Sequence, residues 1–198
     1  MNILLDDLPE FVNVEGESYF VDTDFRTWII FEEIVLDPAI DNREKVESLI
    51  DLCFTENQPD NVKLAMDSLL YIYGGGKKPS QKKSARKNGE VEIREKQIMS
   101  YEHDAPYIFG AFMSQYGIDL NAIDYMHWWK FQALFRSLNS SNKIVEIMSY
   151  RAADLGQIEN PKERNRIARL QRIYALPQNL SREDKIAMAG AVFAGGMV

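Results

Sequence analysis

Val46, Leu49, Ile50 and Cys53 fall at i, i+3, i+4 and i+7, and Val62, Ala65, Met66 and Leu69 repeat that spacing, with Tyr73 one turn further on. Each set draws one apolar stripe down a helix. Pro59-Asp60 separates the two and supplies a helix start. Phe109, Phe112, Met113 and Tyr116 make a third stripe. Asp104 and Pro106 suit its N-terminus, and Gly117 ends it by tolerating a left-handed backbone. Between Phe25 and Val35 the apolar residues go around most of the helix, which predicts burial of much of its girth. Thr23 or Asp24 caps it and Asp37-Pro38 stops it. A helix from about Asn121 to Leu138 carries Trp128, Phe131, Phe135 and Leu138 on one flank. Met126, Trp129 and Ala133 lie on the other, so this helix belongs at the centre of the core. Asn142–Arg151, with Ile144, Ile147 and Met148 inward, and Pro161–Leu176, with Ile167, Leu170 and Tyr174 inward, complete the set.

One segment has a different period. Phe11–Val14 and Tyr19–Val21 are short runs rich in Val and aromatics around Glu15-Gly16-Glu17, which predicts a β-hairpin with a loop of three to five residues. The fold class is therefore mainly α. A single helical domain spans residues 1–178, with a small N-terminal β-hairpin and a mobile basic loop. Residues 179–198 form an apolar C-terminal helix or tail. In that tail Ser181-Arg182-Glu183-Asp184 reads as a capping box, and Ile186, Ala189 and Phe193 fall at i, i+3 and i+7. So short a helix, rich in Gly and Ala, is marginal alone. Contact with its own domain, with a second subunit of a homo-oligomer or with a partner would hold it; the alternative is a frayed tail with no role.

Charge divides the chain into three parts. Residues 1–73 carry 17 acids and 4 bases, residues 74–96 carry 3 acids and 8 bases, and residues 97–198 carry 10 acids and 11 bases. In the middle part Lys77, Lys78, Lys82, Lys83, Arg86 and Lys87 have no acid among them, and three glycines precede them. Such a run reads as a solvated, mobile loop, or as an arm that docks on an acidic partner. The overall charge of −7 speaks against nucleic acid as that partner. The basic face of residues 162–172 reads as a solvated surface. No apolar run is long enough for a membrane span. The start of the chain lacks the pattern of a secretory signal, and a lone Cys53 predicts a reducing compartment.

Candidate chemistry changes the picture little. His103 and His127 are far apart in sequence from each other and from Cys53. No metal-ligand spacing, nucleophile elbow or phosphate loop is present. Cys53 sits on a core stripe, and the carboxylates of the first part are expected on solvated faces. The expectation is a protein that is not an enzyme and uses no cofactor and no metal.

Six segments in order carry a resemblance: DTDFRTWIIFE, YIYGGGKKP, EHDAPYIFGAFMSQYGIDL, MHWWKFQALF, IVEIMSYR and ERNRIARLQRIYALP. Asp119-Leu120 followed by His127-Trp128-Trp129-Lys130-Phe131 is the most diagnostic pair. Together, from Leu5 to Pro177, they resemble the gene-product-fifteen family of bacteriophage proteins, from long-tailed phages and prophages of Gram-positive bacteria. The resemblance implies a gene among those for the tail tube and the tape measure. It also implies a tail-assembly chaperone in the host cytoplasm, with the tape-measure protein and the tail-tube protein as partners. It carries over no catalytic residues. A structural tail component retained in the virion is an alternative within the same family, and a nucleic-acid-binding protein is the third. On this reading the partner-binding segments are the basic loop (Lys77, Lys78, Lys82, Lys83, Arg86, Lys87) and the C-terminal stripe (Ile186, Ala189, Phe193).

Overall fold

A computed structural model describes residues 3–77 and 97–177. Among them are a hairpin, β1 (Phe11–Val14) and β2 (Glu17–Phe20), and seven helices. The helices are α1 (Phe25–Leu36), α2 (Asn42–Cys53), α3 (Val62–Tyr73), α4 (Tyr101–Tyr116), α5 (Trp128–Arg136), α6 (Lys143–Ala152) and α7 (Pro161–Ile173). The architecture is mainly helical with one small antiparallel ribbon, as the periodicities predict.

The hairpin loop is tighter than expected. Only Glu15 (φ 54°) and Gly16 (φ 92°) separate the strands, so β2 starts at Glu17. Two consecutive positive φ angles suit the right-handed twist of a two-residue hairpin. Gly16 takes one without a Cβ clash. Glu15 takes the other while its carboxylate accepts from Asn61, the N-cap of α3, at 2.8 Å. Alternation then turns Val12 and Val14 inward, and Phe11 outward. The ribbon gains its stability from α3 and from the Tyr19–Phe54 ring contact, since two strands alone are marginal in water.

At the centre lies α5. The Phe131 ring is held between Phe25, at 4.8 Å, and Phe112, at 5.1 Å, with all three nearly parallel. Trp128 stacks on Phe131, Tyr73 and Trp28. Trp128 and Phe131 are fully buried and Trp129 nearly so, whereas Ala133 is exposed. The helix is much shorter than its predicted span, because polar groups take over before it. Asp119 Oδ1 accepts from the Asn121 and Ala122 N–H groups and turns the chain. Arg26 donates to the carbonyls of Leu120 and Ile123, both at 2.8 Å. His127 pairs with Asp24 as an isolated antiparallel bridge. These bonds compete with helical ones and win.

Other boundaries move for similar reasons. Asn61, not Pro59-Asp60, caps α3, and Val62 in its first turn is exposed. Ser100 caps α4, which places Pro106 inside the helix on its exposed side. The buried stripe of α4 is Asp104, Ile108, Ala111 and Phe112. Phe109 and Tyr116 are only half-buried and Met113 is exposed. Helix α7 stops at Ile173 with Tyr174 as its cap, short of the predicted Leu176. Gly117 (φ 67°) ends α4 as expected. Cys53 is buried, and burial, then the Asp22 charge, pushes its thiol up to about 12, the value of an inert core thiol.

His127 ties the N-terminal segment to α5. Its Nδ1 accepts from the Trp129 N–H at 3.0 Å, so the other nitrogen carries the proton and donates to the Pro9 carbonyl at 3.2 Å. Burial lowers its pKa from 6.5. The Pro9 carbonyl and Glu10 oppose that shift, and Lys130 adds to it. A lowered folded-state pKa means that the unfolded chain binds the proton first. The contribution to stability is therefore complete above the unfolded value of about 6.5 and is lost as pH falls through the folded one. Glu32 and Glu33, both raised, act in the opposite sense as they protonate. The contribution is isolated by comparison with His127→Asn, whose amide oxygen can still cap the helix. Between pH 7 and 5, denaturant midpoints should fall more steeply for the wild type than for the variant. Equal slopes would remove His127 as the cause.

Candidate partner-binding groove

Of the partner-binding residues expected from the sequence, Lys77 is exposed at the end of a described stretch. Lys78, Lys82, Lys83, Arg86, Lys87, Ile186, Ala189 and Phe193 lie outside the described residues, as do most of the basic loop and the C-terminal stripe. A concavity that the described residues form lies elsewhere. It is a groove of about 550 Å³ between the C-terminal half of α1, the α1–α2 loop, the first turn of α4 and Leu176-Pro177.

Its apolar floor comes from α1 being less buried than its composition predicts. Phe25, Trp28 and Phe31 face the core, but Ile30, Val35 and Leu36 are exposed, with Ile30 and Leu36 opening into the groove. The loop that follows is set by Asp37, whose carboxylate accepts from the Ala39 N–H at 2.8 Å. Glu32 reaches back from the rim. Tyr73 donates its hydroxyl proton to Glu32 Oε2 at 2.6 Å. Burial raises the Glu32 pKa against the pull of that bond. Glu33 is raised as well, by the wall that covers part of it and then by the charges of Glu102 and Glu32. Across the groove His103 Nε2 lies 3.6 Å from Glu102. Tyr101 turns its ring to Trp128, Phe131 and Phe135, and burial and Glu32 push its phenol far above the ordinary range.

The stretches on either side of Arg151 complete the wall. This guanidinium forks onto Asp104, with Nη1 at 2.6 Å and Nη2 at 2.9 Å. It also donates to the carbonyls of Ile98 at 3.0 Å and Tyr174 at 2.6 Å. Asp104 in turn accepts from the Ser100 N–H. One buried cation thus fixes the approach to α4 and the exit from α7, the two stretches that bring Ser100 and Leu176 to the groove. The apolar periodicity places neither Asp104 nor Arg151 in the interior, where both lie. Arg151 sits four positions after Ile147 on the buried face of α6, and that register was the available signal.

A second set of polar bonds joins α3 to α5. The Trp129 indole N–H donates to the Ile72 carbonyl at 2.6 Å. The Trp128 indole N–H and the Gln132 amide donate to that of Tyr73, at 3.0 and 3.1 Å. The chain then winds around Trp129 through Gly75 and Gly76. At Gly76 (φ +80°) an added Cβ would stand 2.9 Å from the Trp129 ring. Gly76→Ala should therefore destabilise the protein by about 1–3 kcal/mol in chemical denaturation. An unchanged midpoint would mean that this wrap contributes nothing.

Among the described residues no cluster of His, Cys, Asp and Glu has the arrangement of a metal site, and no helix is long and apolar enough to cross a membrane. The geometry offers an apolar, acid-rimmed groove on a helical body. The family model of the bacteriophage Gp15 protein matches residues 4–176, and the chain belongs to that family. No curated protein and no solved structure matches it.

Proposed function

We propose that this phage protein is a tail-assembly chaperone. It binds the tape-measure protein in the host cytoplasm and keeps it from aggregating until tube subunits polymerise around it. The observation that carries the reading is membership of the bacteriophage Gp15 family along nearly the whole described chain. The helical body with an open apolar groove supports it, since helical partners are held by apolar contacts in grooves and need neither nucleophile nor metal. The test is co-expression with the tape-measure protein of the same phage. A stable complex that keeps the tape measure in solution is the expected result. Loss of the tape measure to the insoluble fraction, or many copies of the protein in purified virions, would overturn the reading.

A further inference from the structure

Apolar side chains and charges in the groove call for different things from an occupant. Ile30 and Leu36 on the floor are 44% and 46% exposed, and Ile34 and Leu176 add to the same surface. Around them stand Glu32, Glu33, Asp37 and Glu102, and among the described residues no Lys or Arg lines the groove. Among the described residues the ion pairs leave Glu32, Glu33 and Asp37 without a cation, and Glu102 meets only His103. The upward shift of Glu33, set first by burial and then by the charges of Glu102 and Glu32, fits a rim whose negative charge is not compensated.

A purely apolar occupant would strip water from these carboxylates and give nothing in return. An acidic one would be repelled. A cationic occupant with apolar residues on one face satisfies both demands. The volume has room for a few side chains, not for a domain, as when a helix lays anchors at i, i+3 and i+4 into a groove. We propose that this groove is the docking site for a basic amphipathic segment of a partner protein, with its apolar anchors on Ile30 and Leu36 and its Lys or Arg side chains on the Glu33 and Glu102 carboxylates. The proposal deepens the reading of the protein as a binding protein, since it names the surface and the chemistry of what binds there.

The test uses the full chain and a fluorescent Leu/Lys peptide of about 15–20 residues, long enough to be helical, with Leu at helical spacing. Glu33→Lys combined with Glu102→Lys should weaken peptide binding at least about tenfold. Glu56→Lys combined with Asp67→Lys makes the same change in net charge on exposed residues away from the groove, and should leave binding within about twofold. Equal weakening in both variants would reduce the effect to net charge and overturn the proposal, as would failure of the wild type to bind. The melting temperature of the groove variant should hold or rise, because crowded like charges are relieved. A fall would mean that cations of this chain already occupy the rim, and would also overturn it. Co-purification with the tape measure separates the two readings. If the groove variant retains the tape measure as the wild type does, the groove is not the site and the chaperone reading stands. If the wild type fails to retain it while the peptide results hold, the chaperone reading falls and the groove stands.

Discussion

Arg151→Ala should be the most damaging single substitution at a polar position, at about 3–5 kcal/mol. The residue is 6% exposed and its partner Asp104 1%. Truncation leaves Asp104 charged in the interior with only the Ser100 N–H, and leaves the Ile98 and Tyr174 carbonyls without this donor. Arg151→Lys should recover little, because an ammonium cannot make the planar fork to the carboxylate and reach both carbonyls together. The pair Asp104→Leu with Arg151→Met should lose less than Arg151→Ala alone, since it removes both charges from the interior. Denaturant midpoints at constant slope are the measurement. A double variant as unstable as the single one would mean that the two backbone bonds, not the ion pair, carry the stability. That outcome would still make Arg151 the residue that shapes the groove wall.

The six segments that carry the family resemblance meet in this structure, at the places where polar groups are buried. Asp24 and Arg26 of the first hold the turn that leads to His127 and Trp128. Ile72 and Tyr73 accept from the tryptophans and Gln132. Asp104 and Arg151 join the third segment to the fifth, and Tyr174 joins the last to both through Arg151 and the Tyr107 ring. Residues that resemble a family most distinctively are here the staples of its fold. Their bonds run to backbone carbonyls and to one another, while Ile30, Glu32, Glu102 and Leu176 of the same segments line the groove.

This explains what periodicity could and could not read. Helices α2 and α6 bury one apolar face, and their stripes predict their existence and most of their interior residues, with Val46 and Met148 only half-buried and Arg151 unforeseen. The start of α5 was illegible because long-range partners, Arg26 and Asp24, override local helix preference from 94 to 103 positions away. The groove was illegible for a related reason. Its floor is the surplus of α1, whose apolar girth predicts burial, while the helices actually packed on it cover only one side. Its rim joins carboxylates of α1 and α4 that look like ordinary solvated residues in sequence. The expectation that carboxylates of the first part solvate outer faces fails in part for Glu32, and Asp104, read only as suiting a helix N-terminus, is buried; each is held by a donor, Tyr73 or Arg151, that lies far away along the chain.

Trp128→Ala should cost about 3–5 kcal/mol, the range for loss of a large buried aromatic. The side chain is 1% exposed, and its indole lies 5.7 Å from the Phe131 ring, 6.0 Å from Tyr73 and 6.4 Å from Trp28. Its removal leaves a cavity among rings that are themselves stacked on further partners, so they have little freedom to collapse into it. Trp128→Phe separates packing from hydrogen bonding. It keeps most of the stack and removes the N–H donated to the Tyr73 carbonyl. That carbonyl retains the Gln132 amide at 3.1 Å, so the loss of the bond itself should be only about 1 kcal/mol. A large deficit in Phe, close to that of Ala, would mean that the indole bond to α3 and not the aromatic stack holds α5 in place. A small deficit in both would mean that the core repacks around the gap, and the assignment of α5 as its centre would fall.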